Sequence, residues 1–269
     1  MTGIDPNKVD QYFSSVEPSI MGPYMMEGFG FPVSAGEFRF KEEVNIVESL
    51  LDNMSSKRTA LDLGCGIGFW TETLARQFEQ VEAVEASDAL FSSLQNKCRP
   101  LDNVTCHKQN VMSFVPNDTI DLAFLGGLLM YLNDDDALVL LKQLADSLSD
   151  GAKILCREST LRGETEVVKG DYSVIYRTRA HYESLFVQAG LTLEKTVRND
   201  PYVLLQMGCE TMKLWKRWVP KRLQYLSLIG HLNYYALRVS RPLIMQIPAM
   251  GALTFPRLQN HFFLLSRDN

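Results

Sequence analysis

The chain of 269 residues has no run of about 18 consecutive apolar residues, the length a helix needs to span a bilayer. Its first residues carry Asp5, Asp10 and Glu17 and no apolar signal core, so the expectation is a cytoplasmic protein. Cysteines number five (65, 98, 106, 156 and 209) and form no Cys-x-x-Cys pair. The four histidines are equally scattered, at 107, 181, 231 and 261. Neither a disulfide framework nor a metal site is expected, which suits a reducing compartment. Acidic residues are missing altogether from 211 to 266, where eight Lys or Arg stand. Residues 1–210 hold 18 basic and 31 acidic side chains, and the whole chain carries −5. A basic, apolar C-terminal fifth is thus joined to an acidic body. Hydrophobic content of 46% with 22% charged residues excludes disordered and fibrous classes.

From Thr59 onward, strand-like and helix-like segments alternate. Strands are expected at 59–63, 81–85, 104–107, 120–125, 153–157, 191–197 and 261–265. Helices are expected at 69–77, 89–98, 134–148 and 179–189, the last two ending at Gly151 and Gly190. This rhythm predicts an α/β fold, a Rossmann-like doubly wound sheet of seven mostly parallel strands. Residues 1–40, rich in Gly, Pro and aromatics, read as an N-terminal lid. Residues 41–201 and 257–269 form the sheet domain. Residues 202–256, with helical stretches broken by Pro220, Pro242, Pro248 and Pro256, read as a helical cap inserted before the last strand.

The sharpest signal is Asp62-Leu63-Gly64-Cys65-Gly66-Ile67-Gly68, between an expected strand and an expected helix. Glycines let the backbone turn tightly and approach a ligand closely. The spacing differs from the Gly-x-Gly-x-x-Gly of dinucleotide sites. Asp62 would repel a pyrophosphate and attract a cationic aminoacid sulfonium, which favours S-adenosylmethionine over NAD. Glu85, 17 residues after Gly68, ends the second strand where it can accept from both ribose hydroxyls. Asn110 and Val111 follow the third strand, and a resemblance to methyltransferases there implies that the amide oxygen reads the adenine amino group while the Val111 N–H meets a ring nitrogen. Arg39 precedes the first strand and can hold the cofactor carboxylate as a bidentate pair. The expected cofactor set is therefore Arg39, Asp62, Gly64, Cys65, Gly66, Gly68, Glu85, Ala86, Asn110, Val111, Leu125 and Gly126.

Over residues 59–200 the glycine motif and Glu85 resemble those of class I S-adenosylmethionine-dependent methyltransferases. Three segments are further similar to phosphoethanolamine N-methyltransferases: 66–68, Leu128-Leu129-Met130-Tyr131-Leu132 with Asn133-Asp134, and Arg157-Glu158-Ser159. The Tyr176-Arg177 pair ahead of a helix with Tyr182 and Phe186 is similar too. The resemblance implies Tyr131 near the acceptor and a lid tyrosine, here Tyr12, as its partner. Packing is the competing role for both.

Tyr24, Glu158, Tyr176 and Arg177 are the candidate substrate contacts. Glu158 could orient a cationic acceptor or pair with Arg157 or Arg177. Arg177 could bind an anionic group or stand in solvent. In the insertion, Trp215, Trp218, Tyr225, Tyr234 and Tyr235 interleave with Lys216, Arg217, Lys221 and Arg222. A cap over the pocket ranks first. Peripheral membrane contact through 211–257 ranks second. Nucleic acid ranks last, because the acidic body opposes a polyanion. The expected activity is methyl transfer to a small-molecule acceptor, an amine first, with sulfur, oxygen or a membrane-apposed lipid as alternatives. Non-catalytic cofactor binding and RNA methylation are the competitors from other classes.

Overall fold

The computed structural model describes residues 3–17, 30–116, 118–170, 172–220, 224, 227–246 and 255–268. Two helices come first, α1 (Pro6–Ser15) and α2 (Val33–Leu51), with Asp5 capping α1 through the Asn7 N–H. The sheet domain then runs β1 (Thr59–Leu63), α3 (Phe69–Ala75), β2 (Gln80–Glu85), α4 (Asp88–Cys98), β3 (Val104–Lys108), β4 (Ile120–Leu125), α5 (Asp134–Ser147) and β5 (Leu148–Leu161). A hairpin of β6 (Glu166–Val168) and β7 (Val174–Thr178) follows, then α6 (Arg179–Gln188) and β8 (Leu191–Arg198). The last elements are α7 (Asp200–Trp218), α8 (Ser227–Ile244) and β9 (Leu258–Arg267).

Strands β3-β2-β1-β4-β5 pair in parallel, and β9 then pairs antiparallel with both β5 and β8. All seven expected strands are present. The sheet reaches nine because β5 runs on to Leu161, where Thr160 and Leu161 pick up the short β7 and with it β6. That hairpin escapes a reading by apolar runs, since it is short and half-exposed.

Inner strands β1 and β4 are buried almost throughout, as expected where helices cover both faces. Alternation sorts their residues between two cores. Leu61, Leu63, Ile154 and Cys156 meet Leu141, Leu144, Tyr182 and Phe186 of α5 and α6 on one face. Ala60, Phe124 and Leu155 meet Val47, Leu51 and Leu74 of α2 and α3 on the other. Chain order reverses between β1 and β4, and the crevice at such a reversal is where open α/β sheets bind ligands.

Candidate active site

The turn after β1 is built by glycine. Gly64, Gly66 and Gly68 have φ of +64°, +58° and +84°, values that L side chains rarely adopt. Their surroundings differ. A Cβ on Gly68 would lie 2.7 Å from Leu94, so that glycine lets α3 and α4 approach. A Cβ on Gly66 would meet nothing within 4 Å, so the backbone there faces open space.

Asp62 is buried on the same face as Ala60. Its Oδ2 accepts from the Thr71 hydroxyl at 2.6 Å, while Oδ1 is buried without a partner. Burial, reinforced by Glu85 and only partly offset by Thr71, pushes its carboxyl up to about 7. Glu85 takes the Gly66 N–H on Oε2 at 2.9 Å and the Ser87 N–H on Oε1 at 2.8 Å. Burial raises its pKa although those amides oppose it. Each Glu85 oxygen keeps a further lone pair for a hydroxyl donor. An orphaned carboxylate oxygen, an open glycine turn and a second carboxylate at the end of β2 fit the ammonium and ribose of S-adenosylmethionine.

The turn and Asp62 bound a cavity of about 300 Å³ at the carboxyl edge of the sheet, and Glu85, which holds the turn through Gly66, is not on its wall. Asp62, Gly64, Cys65, Gly66, Gly126 and Gly127 line one side. Aromatic side chains line much of the rest: Phe40, Phe69, Trp70, Tyr131, Tyr172, Tyr176 and Tyr202. Its charged floor is Arg39, Glu43 and Arg157. Arg157 grips Glu43 with two hydrogen bonds, 3.0 and 2.8 Å, and Arg39 Nε lies 3.6 Å from the same carboxylate. Burial alone would raise the Glu43 pKa, but the two guanidiniums hold it below the usual carboxylate value. Asn199 caps α7 through the Tyr202 N–H and donates to Glu43 at 2.8 Å. The start of α7, and Tyr202 with it, is thereby fixed against the floor.

Tyr131 stands on a single 3-10 turn after β4, its hydroxyl 3.0 Å from that of Tyr172. Burial pushes the Tyr131 and Tyr172 pKa values up, so both phenols stay protonated at neutral pH. From α1, Phe13 packs edge-on against Tyr131 at 4.9 Å and Tyr12 against Tyr172 at 5.1 Å. Tyr12 thus stands behind the cavity wall.

Of the expected residues, Arg39, Asp62, Gly64, Cys65, Gly66, Gly126, Tyr131 and Tyr176 come together on this cavity. Gly68, Leu125 and Val111 sit just behind it or pack the core, and Ala86 is exposed after β2. Asn110 is exposed and its amide oxygen already accepts from the Met112 N–H at 2.9 Å in a local turn. Tyr24, Tyr225, Lys221 and Arg222 lie outside the described residues.

Two expected substrate contacts are corrected. Glu158 is fully buried on the α5/α6 face, accepting from the Leu129 N–H at 2.9 Å and the Tyr182 hydroxyl at 3.3 Å. Arg177 is also fully buried and donates to the carbonyls of Leu129 and Leu132 and to Asp134. Together they hold the loop that carries Tyr131, and neither reaches the cavity. Strand alternation is the reason: in β5 it is Arg157 and Ser159 that share the Asp62 face. The insertion's described aromatics are corrected too. Trp215, Trp218, Tyr234 and Tyr235 do not line the cavity, and Trp218 is 84% exposed. Tyr202 is the aromatic that α7 contributes, and its place just after Pro201 at a helix start was the available signal. Glu43, Phe40 and Trp70 were missed because they read as helix and core residues.

Among the described residues no cluster of His, Cys, Asp and Glu is arranged to hold a metal, and no helix is long and apolar enough to cross a membrane.

Residues 60–151 match the model of a methyltransferase domain. The alpha N-terminal protein methyltransferase 1 of Drosophila melanogaster is 25% identical over 206 residues, 73% of this chain and 71% of that protein. The phosphoethanolamine N-methyltransferase 3 of Arabidopsis thaliana is 29% identical over 163 residues, 59% of this chain. That match takes in only 32% of the plant protein's length. A Leishmania major S-adenosylmethionine-dependent methyltransferase shares the fold, with a TM-score of 0.63 at 19% identity, over 72% of this chain and 76% of that one. The chain carries a methyltransferase domain and is similar to S-adenosylmethionine-dependent methyltransferases, with segments similar to phosphoethanolamine N-methyltransferases. The glycine turn and the two carboxylates beside it fit S-adenosylmethionine as its cofactor.

Proposed function

We propose that the enzyme methylates the nitrogen of a small-molecule amine held among the tyrosines of the cavity. The observation that carries this reading is the wall itself: Tyr131, Tyr172, Tyr176, Tyr202 and Trp70 around a site whose cofactor end holds an orphaned carboxylate oxygen. S-adenosylmethionine, when bound, supplies an electrophilic methyl group on a sulfonium. Methyl transfer passes that positive charge to the nitrogen. Aromatic faces attract a cation wherever it sits along that path. The residues mainly position the amine and exclude water.

Proton handling narrows the chemistry. Tyr131 and Tyr172 are held protonated, and Glu43 is engaged by Arg157, Arg39 and Asn199. None of them is poised to take a proton from an ammonium near neutral pH. The amine therefore reacts in its neutral form, with Tyr131 and Tyr172 orienting it. Arg39 is proposed to hold the cofactor carboxylate, Asp62 its ammonium and Glu85 its ribose. Helices α1 and α7 are proposed to close over the acceptor, α1 through the Tyr12–Phe13 pair and α7 through Tyr202. The reading carries a cytoplasmic location.

A second reading, methylation of a peptide's α-amine, is favoured by the similarity to the Drosophila enzyme. Release of S-adenosylhomocysteine with a panel of small amines, thiols, phenols, peptides and RNA tests both. Turnover with small amines and none with peptides supports the proposal. Turnover confined to thiols, phenols, peptides or RNA contradicts it.

A further inference from the structure

Helix α8 is apolar on two opposite sides. Inward, Gly230 and Tyr234 are buried, and Leu237 packs beside Val203, Met207 and Met245. Outward, Leu228, Leu232, Tyr235, Val239 and Leu243 are exposed by 64, 57, 50, 84 and 73%. Their spacing of four, three, four and four residues puts them in one stripe along the helix. The last turns of α7 add Leu214, 55% exposed, and Trp218. Single exposed apolar residues are ordinary, but a continuous stripe over four turns marks an interaction surface.

We propose that this stripe docks the enzyme on an anionic lipid surface, with the side chains of α8 in the headgroup–acyl boundary. Charge selects the occupant. Lys213, Lys216, Arg217, Arg238 and Arg241 lie on α7 and α8, and the sequence from 211 to 266 has no acidic residue. Arg241 pairs with Glu42 at 2.9 Å and Arg238 lies over the Phe38 ring at 4.8 Å, while the sequence from 211 to 266 stays net positive. The remainder, 1–210, is strongly acidic. An anionic bilayer attracts the α7–α8 end and repels the body, which orients the molecule with the stripe inward. A second copy fits less well, because a two-fold interface through α8 would bring two net-positive α7–α8 ends together. An exposed apolar stripe on a helix in a net-positive region is a form that interfacial binding takes. The reaction assigned above does not depend on this surface.

Cosedimentation of the full chain with phosphatidylcholine vesicles and with equimolar phosphatidylcholine–phosphatidylserine vesicles tests the proposal. Binding is expected to the anionic vesicles and to weaken as salt is raised, since exposed charges are screened. The double variant L232D/V239D should lose roughly tenfold or more of that binding, because two apolar groups no longer enter the interface. Both positions face solvent, so S-adenosylhomocysteine affinity should stay unchanged and report an intact fold. If that affinity falls, L232S/V239S replaces the pair. Absence of binding to anionic vesicles overturns the proposal. Equal binding by the variant overturns it too, as does a concentration-dependent dimer that the variant abolishes, which would make the stripe a self-interface.

Discussion

The Thr71 hydroxyl bonds one oxygen of Asp62 at 2.6 Å and leaves the other buried and unpartnered toward the cavity. A carboxylate left in this state is costly to ionise, which is why it titrates near 7 in the folded chain. Its folded pKa lies above the unfolded 3.8, so it adds stability at low pH that is lost as pH rises toward 7. A ligand ammonium beside Oδ1 favours the charged form. Affinity for S-adenosylhomocysteine should therefore rise with pH up to about 7 and then level, with proton release on binding below that pH. Calorimetry in buffers of different ionisation enthalpy reads the proton directly. Asp62→Asn should flatten the profile, weaken binding by roughly 1.5–3 kcal/mol and stabilise the ligand-free protein above neutral pH.

Glu85→Ala should weaken the same ligand by roughly 1.5–3 kcal/mol for each charged hydrogen bond lost. The loss includes an indirect part, because Glu85 also holds the Gly66 N–H in the turn. Titration of the folded variant measures it, and unchanged affinity would remove Glu85 from the site.

Tyr131→Phe keeps the ring against Phe13 and deletes the bond to Tyr172. Turnover should fall by about tenfold or less, below the roughly 10²-fold of a lost acid–base group. Cofactor affinity should hold. The pH–rate profile should keep rising through the acceptor's own pKa in both proteins. A basic limb present in the wild type and absent from the variant would restore proton transfer to Tyr131.

Arg177→Met removes donors from the buried Leu129 carbonyl, the half-buried Leu132 carbonyl and Asp134. Breaking a buried charge-assisted network of this kind costs roughly 3–5 kcal/mol. Urea unfolding should show that loss. A stable variant with only a raised acceptor KM would return Arg177 to substrate binding.

The sheet and the glycine turn with Asp62 and Glu85 beside it were legible in the sequence because both are local. A five-residue apolar strand ending in spaced glycines specifies its own turn, and Glu85 closes the next strand. The acceptor end was not, because it is assembled from α2, the β6–β7 loop and α7, which no sequence spacing brings together. Parity could have helped. Asp62, Phe124 and Leu155 stand in register across β1, β4 and β5, so Arg157 and Ser159 share their face and Glu158 cannot. The outward stripe of α8 was hidden for a different reason: a helix that is apolar on two sides reads as core until its neighbours are known.

The most direct test of the central claim is mass spectrometry of acceptors incubated with S-adenosylmethionine carrying a deuterated methyl group. The account predicts the label on the nitrogen of a small amine, formed by the wild type and strongly reduced in Asp62→Asn. Label found only on sulfur, oxygen, protein or RNA, or the same yield from Asp62→Asn, would contradict it.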